Sequence, residues 1–210
     1  MKGLRVVVRR VTGVELLTRY ADGVRSVYAE AFAQPPWNED PAEAGQYLER
    51  LADDVVRPGF TAAVAFDDGP HGPGADRPPR LIGFTTAWTT DTPLPGTRSY
   101  PLVTATLGAR VHDWLGGSRQ VDELAVRPDV QGLGAGRALL AEVTRDAPDG
   151  RCWLLTAARA VDVVRFYRRV GWHQVAHPAP DSRDVAVFLG PEHPAAPMSE
   201  GGEAHGVERR

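Results

Sequence analysis

Hydrophobic positions along this chain change their period several times, and each change marks an element. Residues 4–11, Leu-Arg-Val-Val-Val-Arg-Arg-Val, are rich in β-branched side chains and predict a first strand. Tyr20, Val24, Val27, Tyr28 and Ala31 recur at helical spacing and predict a helix ending near Phe32. Gly23 lies inside that helix at a cost of ~1 kcal/mol relative to Ala, which blurs where it starts. Gln34-Pro-Pro-Trp37 breaks the chain. Asp40-Pro41-Ala42-Glu43 then resembles a capping box, opening a helix with Tyr47, Leu48, Leu51, Ala52 and Val55 on one stripe. Residues 60–66 and 81–88 read as strands. The Gly-, Pro- and Asp-rich residues 67–79 between them read as a long exposed hairpin loop. Residues 89–118 begin with Pro93, Pro95, Gly96 and Pro101, then offer a helix through Leu107, Val111 and Leu115. An insertion between strands is a natural place for substrate recognition.

The second half is more regular. Residues 121–126 have the alternation of a strand with one buried face, and Pro128 stops it. Gln131-Gly-Leu-Gly-Ala-Gly-Arg137 is a glycine turn running into a helix at Ala138. Residues 152–156 form a short apolar strand. Residues 161–170 form a helix with Val163, Phe166, Tyr167 and Val170 on one stripe, closed by Gly171. Residues 172–175 and 185–189 give two last strands. The order β-α-α-β-β, then β-α-β-α-β-β, predicts a mixed α/β sheet with helices on both faces. Residues 1–190 make one domain. Residues 191–210 have few large apolar side chains and predict a disordered C-terminal tail.

Composition narrows the function classes. A chain of 210 residues with 42% hydrophobic content suits one globular domain with a real core. A net charge of −3 gives no electrostatic support for binding nucleic acid or an anionic membrane. The single cysteine, Cys152, excludes an internal disulfide and fits a reducing compartment; its apolar surroundings read as core packing. The N-terminal apolar run is too short for a signal peptide, and no stretch approaches the ~20 apolar residues of a membrane span. A cytoplasmic protein is expected. His112, His173 and His177 show no metal-ligand spacing, so no metal is expected.

The stretch from Val121 to Leu140 carries the chemistry. A strand, a glycine turn and a helix N-terminus make an anion site, because free N–H groups and the helix dipole point outward and glycine lets the anion touch the backbone. No Lys-Ser or Lys-Thr follows, so this is not a Walker loop. Glycines at 132, 134 and 136 miss the dinucleotide spacing. The pattern that fits is Gln/Arg-x-x-Gly-x-Gly/Ala, filled by Gln131, Gly134 and Gly136 and preceded by Leu124-Ala-Val-Arg-Pro128. This resembles the acetyl-coenzyme-A motif of the GNAT N-acetyltransferase superfamily. Arg165-Phe-Tyr-Arg-Arg-Val-Gly-Trp172 is similar to that family's Phe-Tyr-x-x-x-Gly-Phe/Trp segment. Residues 31–37 and 57–60 resemble a subset of these enzymes more loosely. The resemblance departs at Ala160 and Val163, where members often carry asparagine and alanine. A side-chain contact to pantetheine from position 160 is therefore excluded.

The resemblance implies a GNAT-like acyl-CoA N-acyltransferase fold, with a mixed, mostly antiparallel central sheet flanked by helices. It implies acetyl transfer from acetyl-CoA to the primary amine of a small molecule by direct attack, without a metal, and it admits a homodimer. Leu124, Ala125 and Val126 would bind pantetheine through a splay between their strand and the next, and one of their N–H groups would polarise the thioester carbonyl. Gln131, Gly132, Leu133, Gly134, Ala135, Gly136 and Arg137 would hold the pyrophosphate, with Arg137 either in contact or simply solvated.

The amine must lose a proton first, which at pH 7 costs ~4.6 kcal/mol for a pKa of ~10.4. A carboxylate on the central strand is the natural base. Glu123 is the first choice and Asp122 the second, since a bulge would exchange them. Tyr167 is the family's usual proton donor to the leaving thiolate, and its place on the apolar stripe suits packing equally. Trp37, Glu39 and Trp88 would surround the acceptor, unless the tryptophans are core. A protein or peptide N-acetyltransferase, and a non-catalytic acyl-CoA sensor, are the competing readings.

Overall fold

The computed structural model describes residues 5–67, 79–176 and 185–197. Its strands are β1 (Val6–Val11), β2 (Thr61–Asp67), β3 (Arg80–Thr89), β4 (Arg119–Val126), β5 (Cys152–Ala157), β6 (His173–Ala176) and β7 (Val185–Leu189). They form a single sheet in the order β1-β2-β3-β4-β5-β7-β6. Every pairing is antiparallel except β4 with β5. The expected mixed, mostly antiparallel sheet is therefore present, and β4 lies at its centre.

The helices are α1 (Gly13–Arg19), α2 (Ala21–Phe32), α3 (Glu43–Asp54), α4 (Tyr100–Leu107), α5 (Arg110–Leu115), α6 (Ala135–Thr144) and α7 (Val161–Arg169). Two sequence expectations are corrected. The first helix is two, because Thr12 and Glu15 close a capping box that starts α1, and the chain leaves helical geometry at Tyr20. Gly23 stands in α2 because Leu81 packs where its Cβ would be. The helix of the insertion is also two, since Gly108 has a φ of +58° and ends α4. At α3 the expected cap is displaced: Asp40 Oδ1 accepts the Ala42 N–H at 2.8 Å, one turn before the helix starts.

Alternation along the strands divides the core. On one face α6 and α7 place Leu139, Leu140, Val143, Val164 and Tyr167 against Ile82, Val121, Leu154 and Phe188. On the other, α1 to α3 place Leu16, Val24, Tyr28, Tyr47 and Leu51 against Val64, Phe84 and Ala125. A third cluster joins α4 and α5 to Trp153, Val187 and Leu189. Each such side chain contributes about 1.5–3 kcal/mol by leaving water. Phe188 and Val187 alternate between the first and third clusters, so α2–α3 and α4–α5 cover the same face. The seam between those two groups runs along β4 and β5.

Within the expected tail of residues 191–210, some of the described residues pack against the domain. His193 is buried and bonds the Trp114 carbonyl at 2.8 Å, and Ala195 and Ala196 pack on the third cluster. Residues 198–210, and the hairpin residues 68–78, lie outside the described residues. Among the described residues no helix is long and apolar enough to cross a membrane.

Candidate active site

Two irregularities of the sheet meet at β4. Against β3, Thr86 stands opposite Glu123 while Ala87 stands opposite Val121, so Asp122 is the extra residue of a β-bulge. Against β5, pairing covers only Arg119, Gln120 and Val121, opposite Cys152, Trp153 and Leu154. Beyond Val121 the two strands part. The edge of β4 from Asp122 to Val126 thus has no β5 partner, apart from a 3.4 Å bond from Gln131 Nε2 to the Val126 carbonyl.

The bulge resets the alternation. Val121 and Leu124 pack on the α6 face, whereas Asp122 and Glu123 both reach partners on the α3 face. Asp122 Oδ1 accepts Arg98 Nη1 at 3.2 Å, and Glu123 Oε2 lies 3.5 Å from Arg50 Nη2. Arg98 comes from the insertion and also grips Asp54, the last residue of α3, through Nη2 at 2.6 and 2.7 Å. Arg57 bonds Asp54 at 3.0 Å and Asp91 at 3.0 Å, which ties the insertion to α3 a second time.

Burial disfavours charge on both strand acids. The Glu123 carboxyl is pushed up to about 8, by burial first and by the adjacent Asp122 second, with Arg50 opposing. Asp122 is pushed up to about 6 by burial, against the opposing charge of Arg98. Burial and mutual repulsion raise both acids, so the pair holds a proton to higher pH than ordinary carboxylates do. Tyr167, on α7, is raised by burial and then by the charge of Glu123. Tyr167 packs in the core on the α6 face, whereas Glu123 reaches toward α3, and the two are linked by the charge that Glu123 exerts there.

The glycine turn has the backbone its pattern demands. Gly132 and Gly134 have φ of +81° and +90°, with open space where a Cβ would project. Gly134 is the N-cap of α6 and supplies no side-chain cap. The first backbone N–H to close onto the turn is that of Ala138, bonded to the Gly134 carbonyl at 3.0 Å. The first N–H groups of a helix have no partner within it, so those of Ala135, Gly136 and Arg137 are the ones that could bind an anion. Leu133 and Arg137 are exposed beside the turn. Gly136 has a different reason: a Cβ there would meet Phe166 Cζ at 3.1 Å. The Phe-Tyr helix packs directly on the glycine turn, which explains why the two sequence blocks occur together. Arg127, by contrast, is structural. It is buried and bonds the Leu81 carbonyl at 2.9 Å, Ser26 at 2.8 Å, and Glu30.

The acceptor side corrects one candidate. Trp88 is wholly buried between the guanidinium groups of Arg57 and Arg98, at 4.8 and 5.3 Å from its ring, and offers no surface to a ligand. Trp37 is half-buried against Phe32. Glu39 accepts Tyr28 Oη at 2.9 Å, and its charge contributes to raising Glu123, so it does border the site. A cavity of about 310 Å³ opens at the strand splay, lined by Arg50, Arg98, Ser99, Tyr100, Gln120 and Asp122, with Val121 and Leu155. Of these only Asp122 was a sequence candidate. Arg50 lies one turn from Tyr47 on the apolar stripe of α3, and Arg98 follows a Pro-Gly break, so neither shows a motif. Among the described residues no His, Cys, Asp and Glu group could hold a metal; His177 lies outside them. Cys152 is buried, its thiol pushed up to about 12 by burial, which leaves it inert.

A family profile for the acetyltransferase (GNAT) domain matches residues 102–174. No curated protein sequence matches the chain. Among solved structures, a GNAT-family protein from Desulfovibrio desulfuricans shares 22% identity over 88% of this chain and 96% of its own, with a TM-score of 0.51. The yncA protein of Salmonella typhimurium, solved with its cofactor acetyl-CoA, shares 14% over 92% and 98%, at 0.50. Arabidopsis thaliana NAA60, solved with a bisubstrate analogue, shares 18% over 89% and 98%, at 0.51. At these identities the structural likeness speaks for the fold. The profile match spans the bulged strand, the glycine turn and the Phe166-Tyr167 helix, so over these residues the chain is similar to the GNAT acetyltransferase domain, and its fold is the one those solved structures share.

Proposed function

We propose that the protein transfers an acetyl group from acetyl-CoA to the primary amine of a small molecule by direct attack. The observation that carries this reading is the opening of β4 from β5 immediately beyond Val121, with Glu123 beside it and the glycine cradle at the same strand's far end. The residues fit this donor. The N–H groups of Ala135, Gly136 and Arg137 suit the pyrophosphate, and the unpaired edge of Leu124, Ala125 and Val126 suits the pantetheine amides. Gln131, Gly132, Leu133 and Gly134 shape the turn between them. Two of the solved relatives were crystallised with acetyl-CoA or an analogue of both substrates, which supports the same donor here.

In the proposed mechanism Glu123 accepts a proton from the ammonium form of the acceptor, directly or through water. The neutral amine then attacks the thioester carbonyl, which a β4 N–H between Leu124 and Val126 polarises. The C–N bond forms, the nitrogen releases its second proton to solvent, the C–S bond breaks, and the departing thiolate, steadied by a hydrogen bond from Tyr167, takes up a proton from solvent. Asp122 stays ionised against Arg98 and raises Glu123 into the useful range. Trp37 and Glu39 border the acceptor. The small cavity favours a small molecule over a peptide, which needs an open groove.

The test is a panel of amines assayed for free thiol released from acetyl-CoA, beside a calorimetric titration with coenzyme A. Amine-dependent thiol release supports the proposal. Coenzyme A binding without any turnover would favour a non-catalytic sensor, and absence of binding would remove the donor assignment.

A further inference from the structure

We infer that the acceptor is a small amine that also carries a carboxylate, a free amino acid or a close analogue, held by Arg50 beside Glu123. The inference rests on the acetyl-transfer reading and names the substrate class of that site.

Two arginines line the acceptor cavity, with Arg57 joined to one of them through Asp54, and the three are not equivalent. Arg98 is saturated: Nη2 holds both oxygens of Asp54, Nη1 reaches Asp122, and its guanidinium lies over Trp88. Arg57 is held by Asp54 and Asp91. Arg50 differs. Its one ion pair among the described residues is the long 3.5 Å approach to Glu123, and its side chain is 44% exposed. A guanidinium has five N–H donors in a planar fork, so most of its capacity is uncommitted. The fork is also steadied, since it lies 5.2 Å over the Tyr47 ring, and Tyr47 is buried. An arginine held flat at the rim of a cavity is suited to a bidentate carboxylate.

The distance between the two groups sets the spacing on the ligand. Arg50 Nη2 and Glu123 Oε2 are 3.5 Å apart. A ligand whose amine meets Glu123 while its anion meets Arg50, each at about 2.9 Å, must carry both groups within roughly 9 Å of each other. A small amino acid satisfies this. A lysine side chain in a protein or a peptide N-terminus need bring no carboxylate within that reach. The substituent on the α-carbon would occupy the 310 Å³ cavity against Tyr100, Gln120 and Leu155, a volume suited to a single residue. A polyamine would instead bring positive charge against Arg50 and Arg98. Binding of the carboxylate also draws Arg50 away from Glu123. Since Arg50 opposes protonation of Glu123, its departure makes Glu123 the stronger base when the correct acceptor is present.

The experiment compares free α-amino acids with the matching amino-acid amides, which keep the amine and lose the anion. Binding is measured by calorimetry with coenzyme A present, and turnover by thiol release. The wild type is expected to favour the acid at least tenfold in Kd and in kcat/KM. Arg50→Gln is expected to abolish that preference by raising KM for the acid far more than for the amide, with the coenzyme A affinity unchanged. Arg50→Lys should restore part of it. Equal use of acid and amide by the wild type, or an equal loss for both in Arg50→Gln, overturns the inference while leaving acetyl transfer intact. Failure to bind coenzyme A at all overturns the transferase reading, and this inference with it.

Discussion

The two sides of the β4 opening are built from different materials. On the glycine side the proposed binding groups are main-chain N–H donors at the start of α6, beside a turn whose positive-φ glycines leave room for an anion. They cannot titrate, and they require no side-chain ordering. On the acceptor side the groups are side chains: Glu123 and Asp122 from a bulge, Arg50 from α3 and Arg98 from the insertion. Those groups shift one another's protonation, and the site depends on contacts between residues 24 to 73 positions apart. A backbone site suits a donor whose phosphates stay ionised. A side-chain site suits an acceptor that must give up a proton at the moment of reaction.

The sharpest way to separate the sides is at Glu123. Glu123→Gln keeps the shape and removes the base, and is expected to lower kcat/KM for the amine by about 10³-fold. Its affinity for coenzyme A should be unchanged, since the cradle lies at the far end of the strand. The sign of the pH dependence follows from the raised carboxyl. The base works only when ionised, so wild-type kcat/KM should climb with pH and level off above about 8, instead of near the ordinary carboxylate value. In the folded protein Glu123 keeps its proton between the ordinary carboxyl value of 4.5 and about 8, while the unfolded chain has lost it. The unfolded state therefore binds fewer protons there, and this group's contribution to stability falls as pH rises through that window. A pH–rate profile with no limb near 8, or one retained in Glu123→Gln, would remove Glu123 from the role of base.

The complementary break is at Gly134. Valine in its left-handed backbone costs roughly 1–2 kcal/mol and is worse for being β-branched. The added atoms would project into open space, so the fold should survive while the space for the anion fills. Gly134→Val is expected to weaken coenzyme A by about 100-fold in a calorimetric titration, or about 2.8 kcal/mol. At saturating acetyl-CoA, KM for the amine should hardly move. If that KM rises in parallel with the coenzyme A Kd, the two sides are coupled and the comparison drawn above is too simple.

How much of each side could be read from the sequence follows from the same difference. Backbone sites need glycine at fixed spacing, and a local chain segment records that need directly, so Gln131 to Arg137 stood out. The Phe166-Tyr167 block was legible for a related reason, because Phe166 packs where Gly136 has no side chain. The acceptor side has no such local record. Arg50 reads as the polar face of α3, and Arg98 as a loop residue between prolines; only the fold brings them to β4. Trp88 was misplaced because an aromatic in a β-strand fits a cavity wall and a core position equally. Burial between two arginines decides it. The bulge at Asp122 was open in the sequence, since a strand's alternation does not reveal an extra residue until its partner's register is known.

Tyr167 belongs to both sides, and it should matter least of the three. Its ring is fixed between Phe166, Trp172 and Phe188, with centroids at 5.3, 6.2 and 5.4 Å, so Tyr167→Phe preserves the packing and removes only the hydroxyl. An ordinary tyrosine at ~10 is already a weaker acid than a thiol at ~8.5, by about 2 kcal/mol. Burial and the charge of Glu123 raise Tyr167 further, which makes full proton transfer to the thiolate harder still. What remains is a hydrogen bond to developing negative charge on sulfur. A loss of about tenfold in kcat, or ~1.4 kcal/mol, is the size expected of such a bond, and it should be flat with pH. A loss comparable to that of Glu123→Gln would mean that the proton does cross from Tyr167. In that case its hydroxyl must be more acidic in the ternary complex than in the free protein, and occupation of the glycine side would be setting the proton chemistry of the other.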